Sequence, residues 1–255
     1  MSAAVLPDPT RRILGVEFFV GSLKTATDRA LAGGLVVAPS GPGMAADLVH
    51  SPAYRAALTT ADLVITDSSW MVLLWRLFTG EKLPRHSGLA LMRSVLTRPE
   101  LKKPGAVFWV MPSATERDCN LAWLRAQGFP VTEADTYLAP RYPATGPLSD
   151  PDLLAILRQR RPSILMLAIG GGVHERLGRT LRSELDYRPA ILCLGAAIAF
   201  LTGAQTAIPP WADRLYLGWL IRLVRTPRSF WPRLWKALRL APLLRRYRDA
   251  LPELV

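Results

Sequence analysis

Short apolar runs, each closed by a turn signal, recur along this chain with helical patterns between them. That alternation limits its fold more than any other feature. The runs are residues 13–18, 35–38, 63–66, 106–111, 163–170 and 190–194, with a weaker one at 131–134. Helical spacing covers 25–32, 44–59, 71–78, 90–96, 114–127, 151–160 and 175–185. Strands that recur after helices run parallel, and a parallel sheet needs helices on both faces. The expected fold class is therefore α/β, with a mostly parallel sheet flanked by helices. Two helix starts are spelled out. Ser113 precedes an amphipathic stretch as an N-cap, and Asp150-Pro151 reads as an N-cap followed by proline at the first helical position.

Half of the 255 residues are apolar, so one α/β domain with a full core and an appendage is within reach. Cys119 and Cys193 sit in apolar or helical contexts, and no Cys/His cluster has metal-ligand spacing. A reduced, cytoplasmic setting with two core thiols follows, with no metal expected. The N-terminus has no basic region followed by an apolar run, so no signal peptide is expected. The longest apolar stretch, 190–201, falls short of the ~18 residues that span a bilayer, and it reads as a buried strand running into a turn.

The net charge of +12 is unevenly spread: residues 205–255 hold ten Lys/Arg against Asp213, Asp249 and Glu253. Four of the eight tryptophans lie there too: Trp211, Trp219, Trp231 and Trp235. Strand signals stop at Trp211. Pro209-Pro210 breaks the chain, and Pro227, Pro232 and Pro242 divide the rest into short helices. The expected division is a domain at 1–208 and a helical, basic appendage at 209–255. Such an appendage implies a phosphate-bearing partner, a membrane surface or a nucleic acid. Tryptophan and arginine on short amphipathic helices suit an anionic headgroup layer, and no nucleic-acid-binding module is recognisable. The alternative is an ordinary solvated basic face with the tryptophans packed on the core.

The chemistry concentrates at 61–88. The run Leu63-Val64-Ile65 ends in Asp67, a helical pattern follows, and Arg85-His86-Ser87-Gly88 closes the stretch. A carboxylate at the carboxyl end of a buried strand is placed to deprotonate a hydroxyl, while helix N-termini nearby can hold an anion. The competing reading makes Asp67 the N-cap of its own helix. Gly170-Gly171-Gly172 follows another apolar strand and opens a helix at His174 and Glu175, where backbone N–H groups can approach a phosphate. It lacks the G-x-G-x-x-G spacing, and no suitable acid follows, so dinucleotide binding is disfavoured. Asp150-x-Asp152 lies at a helix start, which favours capping over metal binding. Ser68 and Ser69 have no triad partners.

Together these segments resemble the WecG/TagA/CpsF glycosyltransferases, glycosyltransferase family 26, over nearly the whole chain. Pro52-Ala53-Tyr54-Arg55-Ala56-Ala57-Leu58 with Ala61-Asp62-Leu63-Val64-Ile65-Thr66-Asp67 is similar to the signature P-x-x-R-x-A-L…A-D-L-V-L-P-D-G. Arg85-x-Ser87-Gly88 resembles the R-V-T-G turn, and Gly170 through Glu175 resembles G-x-P-x-Q-E. Pro209-x-Trp211, Leu217-x-Trp219 and Arg222 resemble the family's C-terminal region. Departures are Ala38 and Ser40 for Thr-x-Asn, Ser68 for Gly, Ala90 for Asp, His174 for Gln, Ala199 for Asp and Gly218 for Glu.

The resemblance implies a Rossmann-like fold and an inverting transfer of a sugar. The donor would be a UDP-sugar. The acceptor would be a polyprenyl-diphosphate-linked saccharide of exopolysaccharide or other surface-polysaccharide biosynthesis. Asp67 would be the catalytic base and Arg85 would meet the donor diphosphate. Ser40, Ser87, Gly170, Gly171, His174, Glu175 and Arg222 would bind the donor. No cofactor beyond this co-substrate and no metal is expected. The expected setting is the inner face of the cell membrane, peripherally bound, with self-association left open. The departures imply an altered donor or acceptor, with a sugar of glucose or N-acetylmannosamine type, or, alternatively, a non-catalytic scaffold in a polysaccharide assembly complex.

Overall fold

A computed structural model describes residues 9–205, 209, 211–212, 218–225 and 227–255. The chain opens with an antiparallel hairpin, β1 (Thr10–Ile13) and β2 (Val16–Phe19). The main sheet holds β3 (Gly34–Val37), β4 (Leu63–Val64), β5 (Val107–Met111), β6 (Thr136–Leu138), β7 (Ile164–Leu167) and β8 (Ala190–Cys193). All six pair parallel, in the order β4-β3-β8-β7-β5-β6.

Helices cover both faces. They are α1 (Leu23–Leu31), α2 (Gly41–Ala45), α3 (Asp47–His50), α4 (Pro52–Thr59), α5 (Ser69–Thr79), α6 (Gly88–Leu96), α7 (Ala114–Ala126), α8 (Pro151–Arg160), α9 (His174–Glu184) and α10 (Ala197–Thr202). Three more, Gly218–Arg225, Pro227–Leu238 and Leu240–Tyr247, follow in the C-terminal part. Local chemistry starts most of them. Ser22, Ser40, Ser51, Ser68, Ser87, Ser113 and Asp150 each accept a first-turn backbone N–H.

Side chains alternate along the buried strands, as a sheet covered on both faces requires. Leu35, Val37, Leu165, Leu167, Ile191 and Cys193 pack on one face with Tyr54, Leu58, Leu177 and Leu181. Val36, Met166 and Leu192 pack on the other with Ala26, Leu91, Val95, Leu121 and Leu124. Leu240 and Leu244 of the last helix are buried in the first of these cores. Beyond that helix the chain is stitched to the body. Leu14 N–H and Gly15 N–H donate to the carbonyls of Arg248 and Asp249, and Val255 N–H donates to Val49.

The structure corrects several local expectations. Residues 13–18 are a hairpin, because Leu14 and Gly15 take φ of 49° and 75° and turn the chain sharply. A Cβ on Gly15 would lie 2.5 Å from Leu251 Cβ, so the close approach also requires glycine. Residues 44–59 form three helices, since Ser51 caps a new one with Pro52 in its first turn. The 131–134 strand is a 3-10 turn. Thr132 donates through its backbone N–H and hydroxyl to Asp135, and β6 begins just after. The run at 190–201 is a buried strand, β8, running into a turn at 195–196, as expected, and its last residues add α10, which the sequence did not mark. Pro232 lies inside the Pro227–Leu238 helix instead of breaking it.

The topology fixes where a ligand can sit. β3 and β7 lead into α2 and α9 on one face, whereas β8, between them, leads into α10 on the other. Loops diverging to opposite faces leave a crevice at the carboxyl edge of these strands.

Candidate active site

Asp67 stands at that edge, just past β4. Ser68, not Asp67, caps α5: its Oγ accepts the Met71 N–H at 3.2 Å. The capping alternative for Asp67 on its own helix is thereby excluded. Its carboxylate reaches forward instead, and Oδ1 accepts the Gly88 N–H at 2.7 Å. Gly88 opens α6, so this N–H is one of the donors a helix cannot satisfy internally. The bond fixes one carboxylate oxygen at a helix N-terminus. A Cβ on Gly88 would lie 3.4 Å from Ala38 Cβ and 3.7 Å from Leu194 O, so the ends of β3, β4 and β8 converge here.

The 84–88 turn is rigidly tied to the strand. Thr66 Oγ1 donates to Pro84 O at 2.6 Å and accepts the His86 N–H at 3.1 Å. His86 is buried with Nε2 at 2.6 Å from Gly21 O, which makes it a structural turn residue. Arg85 Nε donates to the Asp67 carbonyl at 3.1 Å, which keeps its guanidinium beside the carboxylate-bearing residue. Ser87 is buried and accepts the Ala90 N–H, and Ser40 accepts the Gly43 N–H. Both hydroxyls are therefore engaged as helix caps at the crevice edge.

A second group gathers beyond β7. Gly170 and Gly171 are exposed, and a Cβ on either would meet nothing within 4 Å. No contact with the described residues demands glycine there. Gly172 differs: its φ is +84° and a Cβ would lie 3.2 Å from Asp47 Oδ2. Gly172 N–H donates to Glu175 Oε2 at 2.7 Å. Glu175 and His174 are 1% and 3% exposed, with His174 Nε2 3.0 Å from Glu175 Oε1. That approach is too misaligned for a hydrogen bond, so both ring nitrogens are buried without a hydrogen-bond partner among the described residues. The ring lies against the turn after β8, 3.0 Å from where a Gly195 Cβ would stand.

Three neighbours escaped the sequence reading. Buried Arg176 donates to the carbonyls of Gly172 at 2.6 Å, Gly146 at 2.7 Å and Pro143 at 2.9 Å, clamping the 143–146 loop over the glycine turn. Burial lowers its pKa, against the opposing pull of Asp47 and Glu175. Asp47 is held above the usual carboxylate range by burial and then by Glu175. Tyr54 is wholly buried and its hydroxyl has no hydrogen-bond partner among the described residues. Burial, then the charges of Glu175, Asp47 and Asp67, push its phenol well above 10, so it remains a protonated donor between the two groups.

Asp150 caps α8 and accepts from the Tyr137 and Tyr142 hydroxyls, which leaves the Asp150-x-Asp152 pair no metal-binding geometry. Among the described residues, no three His, Cys, Asp or Glu side chains converge as metal ligands. Arg222 belongs to the Gly218–Arg225 helix, but its side chain lies outside the described residues.

The carboxyl edge thus brings together a positioned carboxylate, two helix N-termini, an open glycine backbone and orphaned buried polar groups. A search of curated proteins found no match to this chain. A family model described as "Glycosyl transferase WecG/TagA/CpsF family" matches residues 11–252, nearly the full length. The chain belongs to the WecG/TagA/CpsF glycosyltransferase family.

Proposed function

We propose that the protein moves a sugar from a UDP-sugar to a hydroxyl of a polyprenyl-diphosphate-linked saccharide, with inversion, in surface-polysaccharide biosynthesis. The observation that carries this reading is the Asp67 carboxylate. It is held by the Gly88 N–H and is not consumed in capping α5. One oxygen is fixed, and the carboxylate takes the proton of the acceptor hydroxyl as that oxygen attacks the anomeric carbon. The bond from this carbon to the diphosphate oxygen breaks, and UDP departs. Arg85 supplies positive charge for the departing phosphate, and the backbone at Gly170 and Gly171 allows close approach.

His174 supports a nucleotide reading. A buried imidazole with one donor and one acceptor unpaired costs roughly 1–3 kcal/mol per group until a ligand satisfies it. An amide edge such as that of uracil offers both partners. Ser40, Ser87 and Glu175 shape the crevice through the bonds described, and Arg222 is assigned to the donor on the family resemblance alone. Ala38 and Ser40 replace a larger polar pair of the family, which favours a donor without an N-acetyl group, of glucose type. No metal takes part.

The acceptor places the enzyme peripherally on the inner face of the cell membrane. No helix among the described residues is long and apolar enough to cross a membrane. Trp211, Trp219, Trp231 and Trp235 are 57%, 42%, 60% and 62% exposed, which argues against their serving as core residues and for a headgroup role. The test is transfer from UDP-glucose or UDP-N-acetylmannosamine to a lipid-linked acceptor, with and without a metal chelator. Turnover that survives chelation and disappears in Asp67→Asn supports the reading. Intact turnover in that variant removes Asp67 as the base, and absence of turnover with every UDP-sugar favours the scaffold.

A further inference from the structure

We propose that the outer face of α5 is itself part of the membrane seat. Trp70, Leu73 and Leu77 join Trp231, Trp235 and Leu238 in one apolar surface that enters the interface of an anionic bilayer. This deepens the reading above, on which it rests for the lipid-linked acceptor, and it moves part of the docking surface from the C-terminal helices onto the catalytic domain.

Helix α5 already satisfies the core with Met71, Val72, Leu74 and Trp75. Its other side nevertheless presents Leu73 at 44% and Leu77 at 74% exposure, where a solvated helix carries polar residues. The Trp70 indole N–H donates to the Ala237 carbonyl at 3.0 Å, so the start of α5 touches the Pro227–Leu238 helix. There Trp231, Trp235 and Leu238, spaced to share one helix face, are all exposed.

Charge selects the occupant. Residues 218–248 contain nine Lys/Arg and no Asp or Glu, and α5 adds exposed Arg76 between its two leucines. A second copy would bring like charges face to face, whereas an anionic bilayer neutralises them while accepting the indoles and leucines. Position completes the argument. α5 starts at Ser69, just past Asp67, and Leu77 lies eight residues further on, roughly 12 Å along the helix axis. Seating this face in the interface brings the crevice rim to the depth at which a lipid-linked hydroxyl arrives.

The test uses the full chain and vesicles of mixed phosphatidylglycerol and phosphatidylcholine. The paired variants are Leu73→Glu/Leu77→Glu and Leu73→Gln/Leu77→Gln. Both pairs should keep the thermal midpoint and the UDP affinity measured by calorimetry. Vesicle partitioning should fall by roughly tenfold or more for the Glu pair and severalfold for the Gln pair. Unchanged vesicle binding in both pairs overturns the proposal. So does a Glu pair that splits an oligomer in light scattering yet still binds vesicles, because the face would then join two copies. If the unmodified protein binds no UDP, the reading of the crevice fails, and the vesicle arm still decides the role of α5.

Discussion

Replacing Asp67 by Asn separates chemistry from architecture at this site. The side-chain carbonyl of Asn can still accept the Gly88 N–H now held at 2.7 Å, but it cannot take a proton from a hydroxyl. A bond to a charged group contributes about 1.5–3 kcal/mol and a neutral one about 0.5–1.5, so the fold should lose only about 1 kcal/mol. For a chain of this length that is a fall of roughly 2–4 °C in the thermal midpoint. Loss of a general base costs about 10²–10⁴ in rate, equivalent to roughly 3–5 kcal/mol of barrier. The assay is initial rate with labelled donor and lipid-linked acceptor, beside melting curves and UDP titration. Asp67→Ala serves as a control, since it also orphans the Gly88 N–H and should melt lower than Asn. A rate within tenfold of the unmodified enzyme refutes the base assignment. A collapse in melting temperature for Asn shows that the carboxylate is there for structure.

Asp47 yields a pH test. Its pKa is raised in the fold above 3.8, first by burial and then by Glu175, so folding favours the protonated form more than the unfolded chain does. Its contribution to stability is complete below the unfolded value and is lost as pH rises through the raised value. Asp47→Asn should therefore raise the melting temperature at neutral pH, with the gain shrinking toward about pH 4, and a lower midpoint at neutral pH refutes the argument. Gly170→Ala should leave stability nearly unchanged, since nothing lies within 4 Å of the added carbon, yet weaken UDP binding measured by calorimetry. Gly172→Ala should cost about 1 kcal/mol or more in chemical denaturation, because φ is +84° and Asp47 stands 3.2 Å away. Leu244→Ala should destabilise the whole domain by about 2–5 kcal/mol, and a single cooperative transition at lower denaturant would show that the last helix belongs to that core.

The sheet was legible because fully buried parallel strands leave apolar runs that little else produces. Where legibility failed, a tertiary or stereochemical detail decided. Leu14-Gly15 lacks the Asn-Gly or Asp-Gly signature of a tight hairpin, so only the observed positive φ values reveal the turn. The break at Ser51-Pro52 was available, for it repeats the grammar of Asp150-Pro151, but the apolar periodicity running through it masked the signal. Thr132 and Asp135 likewise spelled a short capped turn within a run that looked extended.

At the site, Asp67-Ser68-Ser69 offers three capping residues in succession, and sequence cannot choose among them. The backbone register does, by giving the cap to Ser68 and releasing Asp67 toward Gly88. Tyr54, Asp47 and Arg176 were invisible for a different reason. A tyrosine on an amphipathic helix reads as packing. It becomes a candidate contact only when burial leaves its hydroxyl without a partner among the described residues and, with three nearby carboxylates, raises its pKa. The same logic applies to the surface. Leu73 and Leu77 fit the core-facing periodicity of α5 as well as Leu74 does, and only the packed structure shows that their side of the helix is left uncovered. If the proposed membrane seat holds, this uncovered apolar face, which begins beside the candidate base, would draw the enzyme's leucines into the same interface as the lipid of the proposed acceptor.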